Sequence, residues 1–445
     1  MTIAESQPVF KIVPTTQQYD WGKHGRNSKV AQFAEASGVP GFVIDESKPY
    51  AELWMGTHPS SPSRVKRTGE ILSAHLARNP NLIGASIRTK FPEADTGNVP
   101  FLFKVLSIAK ALSIQSHPDK TTAERLHAES PLIYKDANHK PEMALALTEF
   151  EALCGFKPLS QIDSALRSTP ELSTLLPPSI LDSFYAISHS PSPTPQTKTA
   201  LQNLFAALMA LDGTDVHNAI EALTTRYNSS TPNKPHADSD FESLILRLHT
   251  QFPYDIGILC AFFLNHIHLS PGQAIFLGAN EPHAYLAGEC IECMANSDNV
   301  IRVGLTPKLR DVGNLVEGLT YEFGEGGRHE VRPEVFGARA RGSRVGGEGK
   351  GGQDGEGAST KSTLYDPPIA EFSVVKVELG KGEEEAQTAV DGPSVAIVTD
   401  GGGVIGWGEG NLEVGMGDVV FIGAGTPVKY VAGEGLELYR ALVEA

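Results

Sequence analysis

One twelve-residue segment occurs twice in this chain, and it constrains the fold more than any other feature. Gly272–His283, GQAIFLGANEPH, aligns without gaps with Gly417–Val428, GDVVFIGAGTPV. Both copies contain an opening glycine, an apolar run with phenylalanine at the same place, a Gly-Ala pair and a proline. An apolar run between glycine turns is typical of a short β-strand. The repeat therefore predicts two related β domains, one toward each end of the chain.

A glycine turn into a strand, followed by glycine and proline before a possible ligand position, is typical of cupin jelly-roll barrels. We therefore predict a mainly β protein with an α insert, built from two cupin-like jelly-roll barrels and a helical domain. Only the first copy of the repeat ends in a histidine, His283, whereas the second has Val428. We expect a ligand site in the first barrel and a metal-free, structural C-terminal barrel.

Changes in sequence texture predict the domain limits. Residues 1–155 contain short apolar runs broken by Gly, Pro and Asn, and we assign them to the N-terminal part of the catalytic barrel. Residues 156–265 are predicted to form the helical domain. Residues 266–335 return to strands and turns and complete the catalytic barrel. Residues 336–445 are predicted to form the C-terminal barrel, with a Gly-rich loop near 338–361 that cannot bury apolar area.

The helical domain is predicted from apolar residues at i, i+3, i+4 and i+7, which share one face of a helix. Two segments have this spacing, namely Leu201, Leu204, Phe205 and Leu208, and Phe241, Leu244, Ile245 and Leu248. Ser160 and Asp163 resemble a capping box at the start of an earlier helix.

The composition argues against several functional classes. The 445 residues carry a formal net charge of -16, whereas nucleic-acid binders are usually basic. No apolar run reaches the roughly 18 residues of a membrane span, and the N-terminus lacks the pattern of a secretory signal. Four cysteines in a chain of this length do not indicate a disulfide framework. We expect a cytoplasmic monomer with no nucleic-acid or membrane partner.

Three pairs of polar residues are spaced two apart, each beside a proline, so that a strand would place both members of a pair on one face. The pairs are Gln115 and His117, Lys140 and Glu142, and His283 and Tyr285. Ser113 shares the face of the first pair. The three pairs would converge if their strands line one barrel. Pro141 restricts its strand to an edge or a strand start.

Two imidazoles, a carboxylate and an amide oxygen are a donor set that suits Zn²⁺ and other borderline divalent ions. Glu142 supplies the only negative charge in this set, so a bound Zn²⁺ would stay a strong Lewis acid. A single glutamine or histidine is more often a surface or core residue than a ligand. The prediction therefore depends on the convergence of Gln115 and His117 with His283.

The segment from Gly288 to Lys308, GECIECMANSDNVIRVGLTPK, contains a second group of notable residues. Strand alternation puts Cys290 and Cys293 on opposite faces, which favours two buried apolar side chains over a zinc or redox pair. Glu292 shares a face with Cys290, an unusual place for a carboxylate that has no function. Arg302 and Lys308 would supply the positive charge that an anionic ligand such as phosphate needs.

These segments resemble the type I phosphomannose isomerases. YKDANHKPEMAL and HAYLAGECIECMANSDNVIRVGLTPK are similar to the two family signatures, and YDWGKHG and YAELWMGTHPSSPS to further family segments. The resemblance runs from about residue 8 to the C-terminus, apart from the Gly-rich insert and the polar loops. It implies a zinc enzyme that interconverts mannose 6-phosphate and fructose 6-phosphate through an enediol or enediolate and feeds GDP-mannose synthesis. One departure is Val303, where the family commonly has alanine.

The resemblance also implies a role for individual residues. One Zn²⁺ per chain would be bound by Gln115, His117, Glu142 and His283, with Arg302 as the catalytic arginine. Lys140 and Glu292 both stay open as the base or the ring-opening acid/base. The substrate, a small-molecule sugar phosphate, would contact Trp21, Glu52, Ser113, Lys120, Tyr285 and Lys308, with Lys308, Ser113 and Lys120 as candidates for the phosphate end.

Two other interpretations remain open from sequence. A non-catalytic bicupin that binds metal or sugar would not need Arg302, Glu292, Lys140 and Lys308 together near one metal. A cupin oxygenase would favour two histidines and a carboxylate around iron with open positions, and Gln115 argues against it.

Overall fold

The structure is a computed structural model and describes residues 7–229, 236–337 and 361–445. The predicted Gly-rich loop near 338–361 lies outside the described residues except for Lys361. The strands of the described chain are β1 Val9–Val13, β2 Thr15–Gln17, β3 Lys23–His24, β4 Pro49–Tyr50, β5 Glu52–Met55, β6 Arg64–Val65, β7 Phe101–Ile108, β8 Ile114–Ser116, β9 Glu142–Ala146, β10 Phe150–Phe156, β11 Leu264–Leu269, β12 Ala274–Leu277, β13 His283–Ala295, β14 Ile301–Gly304, β15 Glu334–Val335, β16 Ser362–Tyr365, β17 Ser373–Gly380, β18 Glu384–Gln387, β19 Ser394–Trp407, β20 Gly410–Gly415, β21 Val419–Ile422 and β22 Val428–Leu442.

The α-helices of the described chain are numbered in the same way. They are α1 Lys29–Ser37, α2 Leu72–Arg78, α3 Ala85–Lys90, α4 Lys120–Glu129, α5 Leu159–Ser168, α6 Pro170–Ser173, α7 Pro178–Tyr185, α8 Pro195–Met209, α9 Gly213–Asn228, α10 His236–Gln251, α11 Gly257–Cys260 and α12 Val312–Gly318. Within the described ranges, no helix is both long and apolar enough to span a bilayer.

Two antiparallel sheets dominate the fold, and this confirms a mainly β protein with a helical insert and cupin-like β domains. The first sheet has the strand order β11-β10-β13-β7-β5-β2, with β8, β9, β12 and β14 attached to its side. The second has the order β15-β16-β17-β22-β19-β21-β1-β6, with β18 and β20 attached. The first sheet positions the site described below.

Strand β13 is the centre of the first sheet. It pairs with β7 over eight residues, and also with β8, β9 and β10. All eight residues of β7, FLFKVLSI, are buried, because both faces of this strand are covered. Long runs of apolar residues form such strands because each face packs against another layer. Side chains that alternate along β13 therefore point to two different interiors of the protein.

The two copies of the repeat have the same conformation. Each begins with a glycine at positive φ, +88° at Gly272 and +86° at Gly417, and continues as a four-residue strand, β12 or β21. A second residue at positive φ follows at the matching turn position, Asn280 at +64° and Gly425 at +72°. Glycine and asparagine tolerate this left-handed region better than other residues. The next strands, β13 and β22, then start at His283 and Val428.

The N-terminal strand belongs to the second sheet by its pairing. The predicted division assigns residues 1–155 to the catalytic barrel, and β1 within them pairs antiparallel with β21 of the C-terminal sheet. On its other side β1 pairs with β6. Val9 and Ile12 are buried in this arrangement. Strand pairing between distant segments leaves no local signal, so the sequence of β1 does not reveal its partner.

The helical insert has the predicted faces. The first apolar stripe lies on α8, where Leu201, Leu204, Phe205 and Leu208 are fully buried. On α10, Leu244, Ile245 and Leu248 are buried and Phe241 is partly buried against the same cluster.

The predicted capping box at Ser160 is wrong. Helix α5 starts one residue earlier, at Leu159 after Pro158, with no side-chain cap. Asp163 instead accepts hydrogen bonds from Arg167 and from Ser188 Oγ, the latter at 2.5 Å.

Candidate metal centre and active site

Three side chains that could bind a metal ion meet at one end of the first sheet. His117 directly follows β8, Glu142 is the first residue of β9, and His283 is the first residue of β13. Their ligand atoms all lie within 4.8 Å of one another. His117 Nε2 is 3.3 Å from Glu142 Oε1, and His283 Nε2 is 3.5 Å from Glu142 Oε2. Each of the three side chains is about 1% exposed.

The two imidazoles are oriented by backbone carbonyls. His117 Nδ1 lies 2.7 Å from the Asn299 carbonyl oxygen, and His283 Nδ1 lies 2.9 Å from the Glu281 carbonyl oxygen. Nδ1 therefore carries the proton on both rings, and Nε2 keeps its lone pair. Both Nε2 atoms are buried without a hydrogen-bond partner. Such an atom costs about 1–3 kcal/mol of stability, so this donor set fits a metal ion held by Nε2 with Nδ1 anchored behind it.

Asn299, whose carbonyl oxygen orients His117, belongs to a turn that is held by further hydrogen bonds. The Asn299 side-chain amide donates to the carbonyl oxygens of Asp136, at 2.7 Å, and Asn138, at 2.9 Å. Ser297 Oγ donates to Asp136 Oδ1 at 2.8 Å. The Ser-Asp-Asn turn before β14 is thus fixed to the segment that leads into Glu142, and two parts of the ligand set share one support.

Gln115 lies in a row with His283 and Arg302 across three strands. Its backbone is paired with His283 of β13 on one side and with Arg302 of β14 on the other. Directly opposed residues of neighbouring antiparallel strands project to the same face, with Cβ atoms about 5 Å apart. The amide of Gln115 and the guanidinium of Arg302 both line the same cavity.

The protonation states of the ligands suit a metal. Burial and the nearby Lys140 lower the pKa of His117 to about 4, so its ring is neutral at pH 7. Burial alone would raise the pKa of Glu142, but Lys140 and His117 hold it well below its ordinary value. Lys140 Nζ lies 3.0 Å from Glu142 Oε1, and the Tyr285 hydroxyl donates to Glu142 Oε2 at 3.4 Å. A neutral imidazole and a charged carboxylate are the forms that bind metal.

A cavity of about 850 Å³ opens beside this cluster. It brings together most of the residues that the sequence analysis selected, which are Trp21, Glu52, Ser113, Gln115, Lys140, Glu142, Tyr285, Glu292, Arg302 and Lys308. A cavity of this volume accommodates a small organic ligand.

Lys120 is not among the lining residues, and its assignment to the substrate stays a prediction. It is the exposed first residue of α4, lines a different cavity and donates to Asn138 Oδ1 at 3.0 Å. Asp119 caps this helix by accepting from Thr122 N. The chain turns away from the site where the helix begins.

Arg302 is a partly buried cation with no counterion. Among the described residues its guanidinium has no ion-pair or hydrogen-bond partner, and burial lowers its pKa. An arginine remains charged even so, because its ordinary pKa is above 12. The site therefore presents an unneutralised planar donor to the cavity, as expected for a residue that binds an anion. Val303 beside it is fully buried in the core, so it affects packing and not the cavity.

The sequence analysis missed Lys104, the most buried lysine of the cavity wall. It is 6% exposed and lies 3.0 Å from Glu292 Oε2 and 3.5 Å from Glu52 Oε2. Burial alone would lower the pKa of Lys104, but the two carboxylates raise it far above its usual value. The sequence does contain a signal for this residue, because Lys104 is the single charge in an apolar strand. It lies on the same face of the strand as Leu102 and Leu106, which also line the cavity.

Glu292 is held at the floor of the cavity and is 3% exposed. Burial raises its pKa, Lys104 opposes the shift and Glu142 adds to it. Cys290 and Cys293 are fully buried free thiols that belong to two different hydrophobic clusters. This confirms that they project to opposite faces of the strand. Burial raises the pKa of both thiols well above the ordinary value.

A second cluster of possible ligands differs from the first in one decisive respect. Glu151, His266 and His268 also place ligand atoms within 4.8 Å of one another. However, His266 Nε2 is hydrogen-bonded to Glu151 Oε1 at 2.6 Å, and Arg247 also pairs with that carboxylate. His268 is largely exposed and bonds to Asp240. The polar atoms are satisfied by the protein itself, so this cluster does not indicate a metal.

The fold and the site together define a class: a two-domain cupin-like protein in which one β domain holds a buried His₂Glu centre beside a cavity with an unpaired arginine. Comparisons with known proteins agree with this description. The family models of type I phosphomannose isomerase match residues 9–159 (catalytic domain), 181–264 (helical insertion domain) and 362–408 (C-terminal). The chain belongs to the type I phosphomannose isomerase family.

Relatives and solved structures support the same assignment. The chain is 47% identical to mannose-6-phosphate isomerase of Cryptococcus neoformans, covering 99% of this chain and 100% of the relative. It is 42% identical to that of Saccharomyces cerevisiae, covering 99% of each. A crystal structure of mannose 6-phosphate isomerase from Salmonella typhimurium, bound to fructose 6-phosphate and zinc, matches with a TM-score of 0.76 at 28% identity. That match covers 98% of this chain and 100% of the other.

Proposed function

We propose that this chain is a zinc-dependent aldose–ketose isomerase that interconverts mannose 6-phosphate and fructose 6-phosphate and supplies GDP-mannose synthesis. The observation that carries the proposal is a single cavity lined by both Glu142 and Arg302. Glu142 lies within 3.5 Å of two partnerless imidazole nitrogens, and the Arg302 guanidinium has no partner among the described residues. The first feature suits a metal, and the second suits a phosphorylated or enediolate ligand. Relatives of this chain named mannose-6-phosphate isomerase agree with it.

Gln115, His117, Glu142 and His283 would hold one Zn²⁺ per chain. When bound there, zinc would supply a Lewis acid that stabilises negative charge on substrate oxygens. Lys140 pairs with Glu142 at 3.0 Å, so its role is to keep this ligand ionised. Tyr285 donates to the other oxygen of the same carboxylate. Lys140 thus keeps the Glu142 carboxylate ionised, and both residues orient it.

The substrate would be oriented by cationic and aromatic groups of the cavity wall. Lys308 and Ser113 are assigned to the phosphate end, since both line the cavity and a phosphate needs donors. Arg302 is assigned to the O1/O2 side, because it is in register with Gln115 and would stabilise the charge of an enediolate. Trp21 and Glu52 form further parts of the wall.

Glu292 is our candidate for the group that transfers the proton between C1 and C2. Its carboxyl lines the cavity, and burial moves its pKa upward, toward the pH at which a general acid or base works best. Lys104 holds it in place at 3.0 Å. Lys140 is the less suitable base because its amine is already engaged by Glu142.

Several broader statements belong to the same proposal. We propose a cytoplasmic monomer, to which the four buried, unpaired cysteines are suited. We keep the domain division at 156–265, 266–335 and 336–445, with β1 assigned to the C-terminal sheet.

The decisive experiment is a coupled assay that measures fructose 6-phosphate formed from mannose 6-phosphate by the purified full chain. It is run before and after chelation, with elemental analysis of the same samples. We expect turnover that falls with zinc content and returns when Zn²⁺ is added. Turnover that survives complete zinc removal contradicts zinc dependence. A zinc-loaded protein without turnover contradicts isomerase function and favours a non-catalytic bicupin.

A further inference from the structure

A turn and a helix start from distant parts of the chain form adjoining walls of the cavity. Leu305–Lys308, directly after β14, lines one wall. Gln251–Asp255, which connects the end of α10 to the start of α11, lines the other. We propose that Asp255 is a positioning residue, which fixes the turn after Arg302 against the helical insert and thereby sets the phosphate end of the site. This inference rests on the proposed function for the identity of the substrate.

One carboxylate accepts hydrogen bonds from three backbone N–H groups, two of which belong to the Leu305–Lys308 wall. Asp255 Oδ1 accepts from Gly257 N at 2.7 Å and from Leu305 N at 2.6 Å. Asp255 Oδ2 accepts from Thr306 N at 3.1 Å. Hydrogen bonds to an ionised carboxylate are shorter and stronger than neutral ones. The Leu305 and Thr306 donors lie about fifty residues away in sequence, so these bonds join two separate elements of the site.

The backbones of the two walls are also in direct contact, which only glycine permits. A Cβ added to Gly257 would lie 2.5 Å from Leu305 N, and one added to Gly304 would lie 2.5 Å from Gly257 Cα. Leu305, at φ +55°, and Tyr254, at φ +61°, are both left-handed non-glycine residues on either side of this contact. Such conformations persist only where the surrounding structure holds them. At Leu305 the carboxylate of Asp255 contributes to this by accepting the backbone N–H.

The position of this turn matters because of what it connects. Arg302 lies on β14 only three residues before Leu305, and Lys308 lies three residues after it. Lys308 is exposed, and its backbone N–H donates to Thr306 Oγ1 at 3.1 Å, so its location follows that of the turn. A displacement of about 1 Å in a substrate-positioning group is enough to cost two orders of magnitude. Asp255 therefore acts on substrate binding through Thr306 and Lys308.

The chain contains a matched control for this inference. Asp212 also accepts the backbone N–H two residues ahead, from Thr214 at 2.8 Å, at the start of α9 in the same helical insert. Its further backbone hydrogen bonds are to Gly213 and Asp215, within the first turn of its own helix. An Asp→Asn change at Asp212 weakens the same local hydrogen bond, because a neutral amide oxygen replaces the carboxylate oxygen, without touching a second wall.

The test compares D255N and D212N in the zinc-loaded full-length protein. For D255N we expect the KM for mannose 6-phosphate to rise about tenfold or more, the effect of losing a charged hydrogen bond. The inhibition constant of inorganic phosphate should rise in parallel, whereas kcat should change less than KM and zinc content should not change. D212N should match wild type in all four quantities. The G257A substitution adds a methyl group where Gly257 contacts Leu305. It should shift KM and the inhibition constant of phosphate in the same direction.

The outcomes separate this inference from the proposed function. A folded, zinc-loaded D255N with wild-type KM and wild-type phosphate inhibition overturns the role of Asp255, as does an equal change in D212N. If D255N does not fold, G257A with wild-type constants overturns it. Absence of turnover in the wild type itself contradicts the proposed function instead. In that case calorimetric titration with inorganic phosphate tests Asp255 directly, and equal affinity in wild type and D255N refutes its role.

Discussion

His283 and Val428 occupy the same position in two copies of one structural unit. Each is the first residue of a long strand, β13 or β22, that follows a four-residue strand and a turn with a left-handed residue at the same place. Only His283 presents a buried, partnerless nitrogen to neighbouring ligands. Val428 is 3% exposed and packs in the apolar cluster of the second sheet. The same scaffold therefore carries a histidine at the possible ligand position in the first copy and an apolar residue at that position in the second.

The first prediction follows from that pair. His283→Ala should lose bound zinc, since it removes one of two imidazole donors of a buried site. Val428→Ala should keep wild-type zinc content, although it should lower stability by about 1–2 kcal/mol for the lost packing. Metal content per chain by elemental analysis checks both. Equal zinc in purified His283→Ala and wild type would remove His283 from the ligand set.

The second prediction concerns Arg302. Arg302→Ala should retain zinc but lose about 3 kcal/mol of transition-state stabilisation, roughly a hundredfold or more in kcat/KM. The reason is that its charge has no partner in the protein and is available to the ligand. Steady-state kinetics with mannose 6-phosphate, together with zinc analysis, measures this. A value of kcat/KM equal to that of wild type contradicts the assignment.

The third prediction separates the two candidates for proton transfer. Glu292→Gln should lower kcat by about a hundredfold or more, the usual contribution of a general acid or base. It should also remove the acid limb of the pH–kcat profile, because the titrating carboxyl is gone. Lys140→Gln should instead lower zinc affinity, since it removes the cation beside Glu142. If Lys140→Gln, and not Glu292→Gln, abolishes the acid limb, Lys140 is the base.

The fourth prediction uses a buried histidine outside the ligand set. Burial and Arg328 lower the pKa of His329 to about 4, whereas an unfolded chain would have 6.5. The folded state therefore binds this proton more weakly. The contribution of His329 to stability is complete above pH 6.5 and is lost as the pH falls toward 4. The loss amounts to at most about 3 kcal/mol.

The matching measurement is the melting temperature of wild type and His329→Gln between pH 7 and pH 4. All other titrating groups are common to the two proteins, so only the difference between the two curves reports on His329. We expect the wild type to lose stability more steeply than the variant over this interval. Parallel curves would show that His329 does not titrate with a lowered pKa.

Local patterns predicted the parts of the site that depend on strand alternation. Gln115, His117, Glu142 and His283 were found because a strand repeats every two residues and because the repeat singled out His283. Lys104 could have been found in the same way, since it faces Glu292 directly across the β7–β13 pair. Its signal is weak, because a single charge within an apolar strand is not part of a polar motif.

Other features depend on tertiary relations that leave no trace in local sequence. The family resemblance implies a substrate contact for Lys120, whereas the structure places it at the start of α4, where it lines a different cavity. Ser160 has the spacing of a capping box, but Asp163 is engaged by Arg167 and Ser188. The hold of Asp255 on Leu305 also joins residues far apart, and neither segment alone suggests it.

The pairing of β1 with β21 has a consequence for how the protein is made. The segment that forms β1 is synthesised long before β21, so this edge of the second sheet stays incomplete until the later strand has been made. Until then Val9 and Ile12 lack the partner strand beside which they are buried in the folded protein. Translation order and folding order are therefore opposed at this edge. A chain that lacks either β1 or β21 would leave an open strand edge available to other molecules.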